Sequence, residues 1–133
     1  MTTNASAARR AITAPGAPPA VGPYTRAVRH GDLLFCSGAL PLHPDTQELV
    51  GGSLAERTAQ CLRSRTAVCE AAGTNLGQAL RLTVYATHLA AVAEINDAYA
   101  AFFADDPPAR VTIGVAALPK NARVEIDAVV TVS

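Results

Sequence analysis

From Val124 to Val132 the even positions are Val124, Ile126, Ala128, Val130 and Val132, and Glu125 and Asp127 fall between them. A period of two sends alternate side chains to opposite faces, so this stretch reads as a strand with one buried face and one face carrying carboxylates. Such a strand demands a sheet and something apolar to cover it. Val111 to Ala117 alternates in the same way, with Val111, Ile113, Val115 and Ala117 on one face. If both strands share a sheet under helices, the apolar sets turn inward. Arg110, Thr112, Glu125 and Asp127 then occupy the far side together.

The cover is legible upstream. Ser53-Leu54-Ala55-Glu56 fits a capping box, and small or apolar residues recur at Leu54, Thr58, Cys61, Leu62, Val68, Cys69 and Ala72. Arg65 interrupts that stripe, and Gly73 supplies the stop. A second helix is expected from about Ala91 to Phe103, with Val92, Ile95, Tyr99, Phe102 and Phe103 inward and Asn96 beside the stripe. Ala27 to Ser37 reads as a hairpin turning at His30-Gly31-Asp32, and Leu80 to Thr87 alternates as a strand. The order strand-strand-helix-strand-helix-strand-strand predicts an α+β domain with its two helices on one face.

At 133 residues the chain is one domain spanning 1–133, with about residues 1–20, rich in Ala, Pro and Thr, flexible or extended. Eleven Lys and Arg balance eleven Asp and Glu, which with few aromatics argues against a nucleic-acid partner. No apolar run approaches membrane length. Only 17% of residues are charged against 50% hydrophobic, more apolar surface than so small a monomer hides, so a homo-oligomer is expected. Cys61 and Cys69 stand about 12 Å apart by helix rise, too far to bridge. Cys36, Cys61 and Cys69 read as free, mostly buried thiols in a reducing cytoplasm. His30, His43 and His88 lack metal-ligand spacing, and no metal site is expected.

Two residues carry chemistry. Arg110 stands at the start of an apolar strand behind Pro107-Pro108-Ala109, and Glu125 follows fifteen positions later. A guanidinium grips a carboxylate bidentately, and a carboxyl group moves protons or orients water. From the residues alone Arg110 fits a structural ion pair as well as a ligand clamp, and Glu125 fits a merely solvated side chain.

Several separated segments together resemble the RidA/YjgF reactive intermediate deaminase family. They are Gly22-Pro23-Tyr24, Ser37-Gly38, Leu40-Pro41, Glu70-Ala71-Ala72-Gly73, Asn96 with Tyr99 and Phe102-Phe103, Pro108-Ala109-Arg110, Leu118-Pro119-Lys120 and Val124-Glu125-Ile126. They run in the family's order from about residue 14 to 130. The resemblance implies a chorismate-mutase-like subunit with a mixed sheet and two helices on one face, in a homotrimer whose sheets face inward and whose clefts lie between subunits. It implies hydrolysis of enamines and imines bearing a carboxylate to 2-oxo acids and ammonia, without cofactor or metal. By position, Arg110 would bind the substrate carboxylate and Glu125 would handle protons or water. Tyr24, Ser37 and Asn96 would line the cleft, and Thr112, beside Arg110 on its strand, would join them. Departures from the usual pattern include Arg26, Ala39, Arg57 and Ser64, as well as Val111 and Thr112 after Arg110 and the short segment 104–107. They leave room for a pathway-specific substrate. A non-catalytic module that binds small acids or acts as a chaperone is the alternative.

Overall fold

The computed structural model describes residues 8–132; the expected flexible or extended segment therefore lies partly outside the described residues, at 1–7. The chain runs β1 (Arg10–Ile12), β2 (Ala27–His30), β3 (Leu33–Ala39), α1 (Leu54–Ala71), β4 (Ala79–Ala86), α2 (Val92–Phe102), β5 (Ala109–Gly114) and β6 (Val124–Thr131), with short 3-10 turns between some of them. These strands form one mixed sheet in the order β1-β2-β3-β6-β4-β5. Only β4 and β5 are parallel, joined through α2, because a parallel neighbour needs a crossover long enough to carry a helix. The strand β1 is an addition to the expected order. No helix among the described residues is long and apolar enough to cross a membrane.

The capping box forms as the sequence indicates. Glu56 N–H donates to Ser53 Oγ at 3.1 Å, and the Ser53 N–H donates to Glu56 Oε1 at 3.0 Å. At the other end Thr74 N–H reaches Cys69 O and Gly73 N–H reaches Glu70 O, with Gly73 at φ 85°. That left-handed residue lets the chain turn back while two terminal carbonyls keep donors. Between the caps, Leu54, Cys61, Leu62, Val68 and Cys69 are buried against the sheet. Ile95 and Tyr99 do the same from α2, joined by Phe103; Phe102 stays exposed.

The alternation in β6 holds throughout. Val124, Ile126, Ala128 and Val130 are buried under the helices, and Glu125, Asp127 and Val129 lie half-buried on the open face. Leu82, Val84 and Ala86 of β4 join the covered side. Leu80, expected among them, is 48% exposed. The β4–β6 pairing slips between Ala79 and Arg81, and the extra residue is turned out of the alternation.

Strand β5 overturns the expected shared face. Its register pairs Arg110 with Leu82, Thr112 with Val84 and Gly114 with Ala86. Paired residues share a face, so Arg110 and Thr112 lie on the helix side. Val111 and Ile113, paired with Thr83 and Tyr85, lie on the open side with Glu125 and Asp127. The expectation that Arg110, Thr112, Glu125 and Asp127 gather on one face is thereby corrected. The apolar residues of β5 are turned away from the chain's own helices, 43% exposed at Val111 and 40% at Ile113.

Candidate active site

Glu125 lies on the open face near the start of β6, directly across from Tyr85 on β4. On its other side β3 is bulged: Cys36 pairs with Ala128, but Ala39 pairs with Ile126. Three steps on β3 thus answer two on β6, and Ser37-Gly38 is pushed out against the Glu125 carboxylate. A Cβ at position 38 would overlap Glu125 Oε2, so any larger residue there displaces the carboxylate; the constraint is steric and not one of torsion angles.

An open groove of about 290 Å³ is lined by Tyr24, Ser37, Gly38, Leu40, Pro119 and Glu125, with Val21 at its rim. Three of the expected site residues therefore meet: Tyr24, Ser37 and Glu125. Ser37 also serves the fold, since its Oγ donates to Thr25 O at 2.6 Å and its N–H to Arg26 O at 2.8 Å. Burial raises the Glu125 carboxyl above the usual range, the Asp127 charge adds to this, and the Arg65 charge opposes it. Asp127 accepts a hydrogen bond from Tyr85 Oη at 2.9 Å, and this bond is the largest cause of the raised Tyr85 phenol. A raised carboxyl suits proton transfer near neutrality.

Arg110 does not reach this groove. Its row in the sheet contains Leu82 and Ala128, whereas Glu125 shares a row with Tyr85 and Ile113. The rows differ by three residues of β4, about 10 Å by strand rise, and the side chains leave opposite faces. Arg110 is exposed and its guanidinium carbon stands 4.8 Å from the Tyr99 ring centroid, a cation–π contact. Asn96, exposed on α2 one turn before Tyr99, belongs to the same side. Thr112 Oγ1 is buried there with no hydrogen-bond partner among the described residues. The expected site is thus split into two parts of one chain.

The departing positions sort by place. Arg26, Ala39 and Ser64 line a recess of about 20 Å³ behind the groove, room for about one water. Arg26 donates to the carbonyls of Ala14 and Ala17, fastening the N-terminal segment. Arg57 lies elsewhere, its Nε donating to Gly52 O at 3.0 Å at the start of α1. Sequence reasoning names Ser37-Gly38 as a motif and places Asp127 on the face of Glu125 but gives neither Gly38 nor Asp127 a role in the site, and it reads Arg65 only as a break in an apolar stripe. That break was the available signal.

A two-helix, six-stranded α+β subunit with a carboxylate groove on its uncovered sheet face defines the class. The model of the endoribonuclease L-PSP family matches residues 14–132, and the chain belongs to this family, which comprises the YjgF, RidA and RutC proteins. It is 45% identical over 122 residues to the RutC family protein y4sK of Sinorhizobium fredii, covering 92% of this chain and 97% of that one. It is 36% identical over 124 residues to a 2-iminobutanoate/2-iminopropanoate deaminase of Dermatophagoides farinae, covering 93% and 97%. Among solved structures, Escherichia coli TdcF with bound serine superposes with a TM-score of 0.88 at 33% identity, over 93% of this chain and 99% of that chain. The chorismate-mutase-like fold expected from the resemblance is the fold observed.

Proposed function

We propose that the protein is a homotrimeric enamine/imine deaminase whose site is completed between subunits, the Glu125 groove of one copy facing Arg110 of the next. The observation that carries this reading is the split itself. A clamp and a proton carrier, each in a suitable setting, stand on opposite faces of one chain, and the open face bears exposed Phe35, Val111 and Ile113. Covering that apolar face with another copy buries it and gives each groove a second wall. The deaminase name of one relative and the serine bound to TdcF support a small amino-acid-like substrate. The three free, buried thiols fit a reducing cytoplasm.

The chemistry needs only proton transfers and water. Arg110 holds the substrate carboxylate and thereby orients the adjoining carbon. Protonated Glu125 donates to the enamine carbon, giving the iminium. The carboxylate so formed takes a proton from water as the water oxygen adds to the neighbouring iminium carbon, the one that bears nitrogen, giving a carbinolamine. Proton return to nitrogen then expels ammonia and leaves a 2-oxo acid.

The test couples an amino-acid oxidase or a serine/threonine dehydratase to the protein and follows imine loss by semicarbazide trapping. Wild type accelerates the loss of at least one 2-imino acid, and Arg110→Ala or Glu125→Ala each lowers the acceleration by roughly 100-fold. No acceleration across a panel of 2-imino acids, with tight binding retained, would instead establish a small-acid-binding module.

A further inference from the structure

We propose that Arg65 is a positioning residue for Glu125: its guanidinium fixes the Ser37–Gly38 bulge against the carboxylate and supplies a buried positive charge to this side of the site. Arg65 projects from α1, only 3% exposed, in the midst of the apolar stripe. Its Nη1 donates to Ser37 O at 2.6 Å and to Arg26 O at 3.3 Å. Arg26 O also accepts the Ser37 N–H. The guanidinium thus ties the residue just before β2 to β3 at the point where β3 leaves its register. Gly38 follows immediately and abuts the Glu125 carboxylate.

The energetics argue against a mere packing role. Removing a guanidinium from water costs several kcal/mol, and a leucine would fill the stripe without that cost. The hydrogen bonds of Arg65 go to backbone carbonyls and not to a carboxylate, so among the described residues no ion pair cancels its charge. Its Nε has no hydrogen-bond partner among the described residues. The charge acts instead on its surroundings. Around Glu125 stand Asp127 on its own strand, Tyr85 on β4, Cys61 and Arg65 on α1 and Tyr24 in the segment before β2, while Cys36 on β3 acts on Arg65 and Asp127. Lys120, next to Pro119 at the groove, is held by Gln47 O. Within this set Arg65 is the cation that favours the ionised carboxylate, against burial and Asp127.

The proposal rests on the proton-handling role given to Glu125, but its test does not need turnover. Carboxyl carbon signals of ¹³C-labelled, ligand-free protein report Glu125 ionisation, assigned with Glu125→Gln. Arg65→Gln keeps a donor and removes the charge; Arg65→Lys keeps the charge and loosens the two-carbonyl grip. The glutamine variant moves the Glu125 midpoint to higher pH, and the lysine variant leaves it beside wild type. In the assay coupled to an amino-acid oxidase, which supplies the imine directly so that Glu125 acts from its carboxylate form, Arg65→Gln loses roughly tenfold in kcat/KM on the acid side and converges toward wild type on the alkaline side. A Glu125 midpoint unchanged in Arg65→Gln overturns the proposal whatever the protein's activity. Should that variant fail to fold, Arg65→Lys decides: a several-fold lower kcat at an unmoved midpoint supports it, and wild-type kcat or a displaced midpoint overturns it.

Discussion

The surroundings of Glu125 and those of Arg110 are built in opposite ways. Glu125 is half-buried, pressed by Gly38, backed by Arg65 and flanked by the Tyr85–Asp127 hydrogen bond. Arg110 is exposed on the last strand of the sheet and rests on a single aromatic ring. The first setting is preorganised within one chain, and its carboxyl is already displaced toward the protonated form. The second leaves the guanidinium's donors without a hydrogen-bond partner among the described residues, which suits a ligand-binding role. A proton carrier must be tuned by its surroundings, whereas a carboxylate clamp needs only reach and charge. One chain tunes the first; the proposed neighbour brings the second.

The comparison breaks most sharply at the sheet faces. Ile113→Asp places a charge on the open face beside β4, where the proposed partner packs. It abolishes the trimer and lowers activity by roughly 100-fold or more, while the monomer keeps its circular dichroism; sedimentation reads the assembly. Ile126→Ala, one strand pairing away from Val84 on the covered face, opens a cavity and costs about 2–5 kcal/mol in chemical denaturation. If Ile113→Asp still sediments as a trimer, the open face is not the contact.

Smaller changes sharpen the Glu125 side alone. Gly38→Ala drives a methyl into the carboxylate, so kcat falls roughly tenfold with little change in assembly, since misplacement of a reacting group is costly. An unaltered kcat would show that the bulge does not hold Glu125. Glu125→Gln acts on stability. With the carboxyl raised in the fold by burial, the folded state retains a proton that the unfolded chain has already lost. Stability therefore falls as pH rises from the ordinary carboxylate range through the raised folded value, and stays lower above it. Glu125→Gln removes that loss and raises Tm by about 2 °C at neutral pH. Below the ordinary carboxylate range the gain vanishes; a gain independent of pH would contradict the raised carboxyl.

Much of this architecture is legible in the chain. The capping box at Ser53 and Glu56 and the strict alternation from Val124 onward are local signals, and both elements form where they indicate. The face of β5 is not legible, for a physical reason. Alternation distinguishes two sides of a strand but does not say which side meets the chain's own helices. An apolar set such as Val111 and Ile113 is assigned inward when only one copy is considered, yet the parallel register with β4 turns it outward. Arg110 and Thr112 were carried to the wrong face by that same assumption. The bulges at Ser37–Gly38 and Leu80 are equally invisible to a pattern of period two. The grouping of Ser37 with Glu125 and Tyr24 rests on the ordered set of motifs, and the three side chains line one groove. Arg65 shows the converse: a charge in an apolar stripe is readable as an anomaly, but its carbonyl partners lie 28 and 39 residues away.

The decisive measurement mixes two defective chains. Arg110→Ala and Glu125→Ala protomers, each nearly inactive alone, are co-expressed in equal amounts and purified as mixed assemblies. If each site takes its arginine from one copy and its glutamate from the next, every mixed trimer has both groups in one site of its three, and about a third of wild-type activity returns. Activity no higher than that of either parent, in assemblies verified to contain both chains, would contradict a site shared between subunits.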